Sequence, residues 1–294
     1  MLKWKRKVRL TISGAGGGAV FEGSQAPEDG FKIDFNVKKT LGSKQNSGTV
    51  TIWNLTKSNR EKLGEEFKKL TLEVGYEDGG MAVLVEADIR DVEHDKSSPD
   101  ISSQISFGDG DKGVNKGAVS KTFPKGTKPK EVIQHVVKQM PGVELGKTKG
   151  LDDLPAYKRP VSVYGWAFRA LDGVGREQKF YWYIDRGKLN IVKNDEHLGQ
   201  CAVISKETGM IGVPQETDKG VKVKALIEPD VVPGFMIKVE SNFLDLSSGR
   251  DKRQSDAGGG EFRVNAVTFT GSTRGEEFYM EIEGNRVQGG KVVK

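Results

Sequence analysis

Cysteine and long apolar runs are scarce in this sequence of 294 residues, and each scarcity excludes a class of protein. The single cysteine, Cys201, excludes an internal disulfide and fits assembly in a reducing cytoplasm. No apolar run reaches the roughly 18 residues that a membrane helix needs. The start, MLKWKRKVRLTI, is basic but has neither a long apolar core nor a small-residue cleavage site, so we expect no secretory signal.

Motifs for catalysis are also missing. The three histidines, His94, His135 and His197, lie far apart, and no G-x-S-x-G, HExxH or C-x-x-C pattern occurs. Carboxylate pairs for glycoside cleavage depend on the fold, but no stretch argues for one. The sequence therefore predicts a protein that is not an enzyme and that has no cofactor, no metal and no single-residue site.

The net charge of +5 is unevenly distributed. Residues 1–20 and residues 109–150 each sum to +5, so the remaining chain sums to −5. Two basic patches on an acidic body exclude a uniform nucleic-acid binder. The lysines either keep the surface soluble or contact acidic neighbours in an assembly.

Alternating apolar residues and 38 glycines predict many short strands. The alternation is clearest at residues 31–37 and 221–227, and turn residues follow each stretch. Between the early strands, Ser58 and Glu61 fit a capping box that opens a short helix carrying Leu63, Phe67 and Leu70. This pattern predicts an α+β, mainly antiparallel β fold.

Two short patterns allow a binding site but are better explained structurally. Gly14 to Ala19 formally matches a dinucleotide fingerprint, yet no amphipathic helix follows, so we predict a hairpin connection. Asp91, Glu93 and Asp95 share one face of a strand and could approach a cation, but an exposed strand end explains them equally well.

The middle of the chain changes character. A loop rich in glycine and lysine precedes a helix that begins near Pro129 and ends at Pro141-Gly142. A second helix over 166–174, closed by Gly173 and Gly175, precedes a hairpin through FYWYI and LNIV. The aromatic residues of that hairpin could stack on bases or sugars, but a core and a packing surface explain them better.

Longer patterns resemble the tail and baseplate hub proteins of contractile-tail bacteriophages. FKIDFNV, GTVTIWNLTKSNREKL, LTLEVGYEDG and AVLVEADIRDVEH resemble the N-terminal tube domain of that family. TGMIG-P, GVKVKALI-P and PGFMIKVES resemble its C-terminal tube domain. GWAFRALDGVGREQKFYWYIDRGKLNIV is similar to its middle module, and the helix after Pro129 to its small LysM-like insert.

The resemblance implies two small tube-like β-barrel domains that bracket a mixed α/β insertion. We expect an N-terminal tube-like domain at 1–108, a basic LysM-like module at 109–155, a helix-plus-hairpin module at 156–205 and a C-terminal tube-like domain at 206–294. We also expect the polar loop 247–260 to be mobile alone or ordered by a neighbour, and the tail from Val287 to be disordered or partner-bound.

The function implied is structural: a trimeric hub ring in a virion baseplate, assembled in the host cytoplasm, that joins the tail tube to the central spike and other baseplate proteins. Genome DNA would pass only transiently through its lumen. Two alternatives remain: a glycan- or nucleic-acid-binding barrel module, and a tail-associated peptidoglycan hydrolase.

Overall fold

A computed structural model describes residues 5–15, 17–42, 45–63, 66–96, 99–241, 259–288 and 290–292. These residues form a mostly antiparallel β protein with a few short helices, as predicted. The helices are α1 (Lys57–Lys62), α2 (Asp111–Lys116), α3 (Pro129–Lys138) and α4 (Ala167–Gln178). Within the described segments, no helix is long and apolar enough to span a membrane.

Most strands belong to one large sheet. The strands of the N-terminal half are β1 (Arg6–Gly14), β2 (Gly17–Gly23), β3 (Ile33–Thr40), β4 (Ser47–Trp53), β5 (Phe67–Tyr76), β6 (Gly80–Asp95) and β7 (Ser102–Gly108). Those of the insertion are β8 (Ala118–Phe123), β9 (Glu144–Lys149), β10 (Val161–Trp166), β11 (Phe180–Asp185) and β12 (Lys188–Lys193). Those of the C-terminal half are β13 (Gln200–Ile204), β14 (Met210–Thr217), β15 (Gly220–Leu226), β16 (Met236–Val239), β17 (Gly260–Ser272), β18 (Phe278–Gln288) and β19 (Lys291–Val292).

Within the described residues, one ladder joins the N-terminal and C-terminal halves of the chain. The sheet runs in the order β14-β15-β18-β17-β3-β4-β7-β6-β5-β1-β2, and β17 of the C-terminal half pairs with β3 of the N-terminal half. This antiparallel ladder extends from Ala266 opposite Thr40 to Ser272 opposite Asp34. We call it the internal junction. The predicted closure of each half into a barrel stays a prediction, since the described strand order runs open from β14 to β2.

Alternation builds the core of this sheet. Ile33, Phe35 and Val37 of β3 point to the buried side together with Val267 and Phe269 of β17. One apolar cluster collects such residues from both halves, which explains why the halves pack as a continuous layer.

Each half contains the same arrangement of four strands. β3 and β4 form a hairpin whose second strand pairs with β7, and β7 pairs with β6. β14 and β15 form a hairpin whose second strand pairs with β18, and β18 pairs with β17. All six ladders are antiparallel, so the orders β3-β4-β7-β6 and β14-β15-β18-β17 correspond strand by strand.

The insertion has two small sheets and its own core. β8 pairs with β10, and β9 pairs in parallel with β12 beside β11. Residues 109–155 therefore share their sheets with residues 156–205, and one apolar cluster holds α3, α4 and these strands together. The predicted domain boundaries stay predictions.

Several local predictions are corrected by the structure. Thr56, not Ser58, caps α1, because its hydroxyl accepts from the backbone N–H of Asn59, and α1 ends at Lys62 rather than extending to Leu70. Gly173 and Gly175 lie inside α4; Gly175 faces the ring of Phe180, where a side chain would crowd it.

Near the C-terminus, residues 287, 288, 291 and 292 lie in strands. β19 pairs with the end of β18, and Val292 packs against Met236 and Val287. The disordered alternative of the predicted tail is therefore wrong for these residues, and the partner-bound alternative stays a prediction. Nearly all of the predicted polar loop 247–260 lies outside the described residues.

Candidate assembly surface

The side of the large sheet opposite the core is polar. Cross-strand register places these side chains in rows that run across the internal junction. We call this surface the polar face. It consists of Asp34, Asn36, Lys38, Thr49, Thr51, Asp91, Glu93, Asp95, Gln104, Ser106, Lys222, Lys224, Thr268, Thr270, Tyr279, Glu281 and Glu283.

Hydroxyl and amide groups occupy the centre of the polar face. Asn36 donates to the hydroxyl of Thr270 across the internal junction at 3.0 Å. A depression of about 600 Å³ lies over this point, lined among others by Thr49 and Thr51. Such a surface offers hydroxyl and amide groups that can form hydrogen bonds.

Acidic side chains outnumber basic ones on the polar face. Its lysines are largely engaged: Lys222 lies 3.7 Å from Glu281 and 3.9 Å from Glu283, and Lys224 lies over the ring of Tyr279. Asp91, Glu93 and Asp95 remain exposed at the other end of the face. The face is therefore unsuited to holding a polyanion.

The sequence-predicted cation alternative gains no support. Asp91, Glu93 and Asp95 lie on one face as alternation predicts, but within the described residues no group of three or more such side chains is arranged to hold a metal ion. His94 contacts the hydroxyl of Ser103 at 2.9 Å, while His135 stacks edge-on against Phe123 and His197 accepts from Gly199. The three histidines stay separate, as the sequence suggests.

A buried ion pair fastens the insertion to the large sheet. Lys39, on the core side of β3, donates to Asp185 at the end of β11 with an Nζ–Oδ1 distance of 2.6 Å. Burial alone would raise the pKa of Asp185, but Lys39 and Arg186 outweigh burial and hold it below its usual range. Asn46 adds a bond to the carbonyl of Ile184 at 2.7 Å.

Asp109 forms the second part of this attachment. Its carboxylate accepts from the backbone N–H groups of Arg186 and Gly187 at 2.5 and 3.0 Å, which fixes the β11–β12 turn against the end of β7. Burial raises the pKa of Asp109 to about 7, and the nearby carboxylate of Asp185 adds to the rise. We call Lys39, Asp109 and Asp185 the docking cluster.

Sequence reasoning missed the docking cluster, although one signal was available. Lys39 follows Ile33, Phe35 and Val37 at period two, so alternation places it on the buried side. A lysine there requires a buried partner. Its partner, 146 positions away, could not be identified from the strand pattern.

A cleft of about 830 Å³ separates the insertion from the C-terminal half. Cys201 lines it and is half-buried, with its sulfur 3.5 Å from the carbonyl oxygen of Met236. Burial raises the pKa of this thiol to about 11, so it is a poor nucleophile.

The predicted aromatic hairpin serves mainly as core. Phe180, Trp182 and Ile184 enter the insertion core, and Tyr183 is buried on the other side, next to Gly234. Tyr181 of this hairpin is 38% exposed, and β10 carries two more exposed aromatic residues, Tyr164 and Trp166. Trp166 ends β10 rather than belonging to the predicted helix over 166–174. Gly14 ends β1 opposite Gly17, the first residue of β2, so the predicted hairpin connection is confirmed and a strand rather than a helix follows.

The solved structures that this chain resembles are proteins of tail-like machines. It aligns with a 43 kDa tail protein of prophage MuSo2 from Shewanella oneidensis at a TM-score of 0.62 and 9% identity, covering 98% of this chain and 100% of that one. A tail protein from Neisseria meningitidis MC58 gives 0.61 and 11% identity, with 95% and 96% coverage. The Escherichia coli c3393 protein, a type VI secretion component described as structurally similar to phage T4 tail proteins gp27 and gp5, gives 0.58 and 11%, with 90% and 75% coverage.

These likenesses define the fold as one found in phage tail and type VI secretion proteins. No curated protein matches the sequence. The family model described as baseplate hub gp41 matches residues 7–284. The chain therefore belongs to this family of phage baseplate hub proteins, which confirms the resemblance found in the sequence.

Proposed function

We propose that this protein is a structural hub whose chains close into a trimeric ring between the tail tube and the central spike. The repeated four-strand arrangement carries the proposal. One chain joins two such sheets edge to edge at the internal junction, and three chains would supply six. Ring closure is the usual outcome when heterologous contacts repeat around an axis.

The polar face would line the lumen of that ring. It is continuous across the internal junction, hydroxyl-rich at its centre and predominantly acidic. A channel wall of this kind repels phosphates, so genome DNA would pass without being retained. The apolar cores would face outward from the wall, where the insertion and the other strands cover them.

The insertion would sit on the outside of the ring and contact other baseplate proteins. The docking cluster fixes it to the sheet on the core side of β3, away from the polar face. Its exposed lysines suit acidic neighbours. Among the similar structures, a Francisella VgrG is solved in complex with PdpA, which fits partners of the spike class for this chain.

The test is the assembled particle. Mass measurement and electron microscopy of the purified chain, alone and in tail fractions, should show a ring of three chains with a central channel. A monomer at all concentrations that also fails to join tail particles, or a ring with the polar face outside, would contradict the proposal.

One observation favours glycan binding as a second function. Tyr164 is 82% exposed and Trp166 46% exposed on one side of β10, beside the paired hydroxyls of Thr122 and Ser162. Stacking rings next to hydroxyls is a chemistry that suits saccharides. Pull-down by peptidoglycan fragments that Tyr164→Ala abolishes would support this role, and equal pull-down of the two proteins would contradict it.

A further inference from the structure

The repeat in strand order extends to local irregularities. β6 carries a bulge between Ile89 and Asp91 in its ladder with β7. β17 carries a bulge between Val264 and Ala266 in its ladder with β18. Before the bulge, each strand also pairs antiparallel with a neighbour on its other side, β5 for β6 and β16 for β17. The two bulges therefore align Asp91 with Ala266.

After the bulge the two strands differ in one respect. Residues Ala266 to Ser272 of β17 pair with β3 and form the internal junction. The ladder between β5 and β6 ends at Asp88, and in the described sheet β7 alone continues alongside β6 to Asp95. The counterpart of the internal junction is thus not formed within the described part of the chain.

β14, which is the counterpart of β3 in the C-terminal half, also lies at an edge of the sheet. β14 is the terminal strand of the described sheet order and pairs with β15 on one side. Its exposed residues include Ile211 and Val213, which are 40% and 50% accessible. An edge strand with exposed apolar side chains is a hazard in a monomer and a normal feature of a strand that pairs in an assembly.

We propose that β6 of one copy pairs antiparallel with β14 of the next copy, in the register of the internal junction. This inference rests on the proposed ring and deepens it by naming the strands that close it. We compared the strands β6-β7-β4-β3 with β17-β18-β15-β14, residue by residue across each ladder. In this comparison Asn36 of β3 is equivalent to Gln215 of β14, and Lys38 is equivalent to Thr217. In the internal junction, Thr270 lies opposite Asn36 and Thr268 lies opposite Lys38. The same register between copies therefore places Asp95 opposite Gln215 of the next copy, and Glu93 opposite its Thr217.

The side chains are compatible with this register. The acidic residues Glu93 and Asp95 meet uncharged Thr217 and Gln215, so no like charges lie directly opposite one another. Between them, His94 comes opposite Glu216, at the position where the internal junction places Phe269 opposite Val37. The contact between copies is therefore more polar than the contact within a chain, as suits a surface exposed to water before assembly.

Paired cysteines test the register. In a Cys201→Ser background, Glu93→Cys with Thr217→Cys should give disulfide-linked dimers and trimers under oxidation, because directly opposed residues bring Cβ atoms to about 4.5–5.5 Å. Lys38→Cys with Thr268→Cys is the matched control within one chain and should give an internal disulfide without linked copies. Gln104→Cys with Thr217→Cys places one cysteine a strand further from the edge and should not link copies efficiently.

The readouts are non-reducing electrophoresis, intact mass, and mass measurement of the particle before oxidation. Trimers that are covalently linked in the first variant alone support the pairing. A ring that forms but links equally well through Gln104, or does not link through Glu93, overturns the pairing and leaves the ring standing. Absence of any ring overturns both.

Discussion

Lys39 and Asp185 form a buried ion pair, with Nζ 2.6 Å from Oδ1, that joins the large sheet to the insertion. Lys39 has no exposed side-chain surface and Asp185 has 6%. Removing one member leaves the other charge buried without its partner, which typically costs about 3–5 kcal/mol.

The first prediction follows from this pair. Asp185→Ala should lower the free energy of unfolding by about 3–5 kcal/mol, measured by denaturant titration. The double variant Lys39→Met with Asp185→Leu should recover most of the loss, because neither charge then remains. Lys238→Met, which breaks the exposed pair with Glu240, should leave stability nearly unchanged, because solvent screens that pair. A loss in the double variant equal to that of Asp185→Ala would contradict this account.

The second prediction concerns pH. The pKa of Asp109 is raised from its ordinary 3.8 to about 7 in the folded protein, so the unfolded chain releases this proton at lower pH than the folded one. The contribution of Asp109 to stability is therefore complete below pH 4 and is lost as pH rises through 7. At about 1.4 kcal/mol for each pKa unit, the loss is on the order of 4 kcal/mol.

Asp109→Asn tests this dependence, since its amide oxygen can still accept one of the two backbone bonds and does not titrate. As pH rises from 4 to 7, the unfolding free energy of wild type should fall relative to that of Asp109→Asn. Asp152→Asn, at an exposed site, is the matched control. A difference that is constant over this range would show that Asp109 does not titrate as described.

Much of the large sheet could be predicted from alternation, and its connections could not. The period-two pattern from Ile33 to Val37 correctly identified β3 and its buried side. Nothing local indicated that Asn36 would lie opposite Thr270, because pairing between distant strands depends on the packing of both halves. The cap of α1 was assigned to Ser58 although the local bond is made by Thr56, two residues earlier. Gly175 was expected to close α4, but it lies inside the helix, where it packs against Phe180.

The candidate surface was harder to predict than the fold. The acidic alternation at Asp91 and Glu93 was visible, but its place on a face shared with Thr270 and Glu281 depends on five ladders. Sequence patterns shared with the hub family predicted the class of protein, whereas no single residue predicted a site. This division is expected when strands rather than side chains carry the function.

The third prediction concerns the internal junction. Phe269 of β17 is fully buried and lies opposite Val37 of β3. Phe269→Ala should lower the free energy of unfolding by about 3–5 kcal/mol, through lost burial and the cavity that remains. Thr268→Ala, the neighbouring position on the polar face, should cost less than about 1 kcal/mol. Equal losses would show that the core side of the junction does not hold the halves together.

The fourth prediction concerns passage of DNA along the polar face. Glu281→Lys with Glu283→Lys removes two acids that lie beside Lys222 and reverses the charge at this part of the face. Assembled rings of this variant should retain double-stranded DNA in filter binding at low salt. Retention should fall steeply with added salt, because each phosphate contact releases counterions.

A charge-matched variant separates the face from net charge. Glu61→Lys with Glu177→Lys makes the same change on α1 and α4, where neither residue belongs to the polar face. A lumen concentrates the field of its lining charges, so the face variant should bind DNA at least about 10-fold more tightly than the matched one. Equal binding by both variants, or retention of DNA by the wild-type ring near physiological salt, would contradict a lumenal polar face.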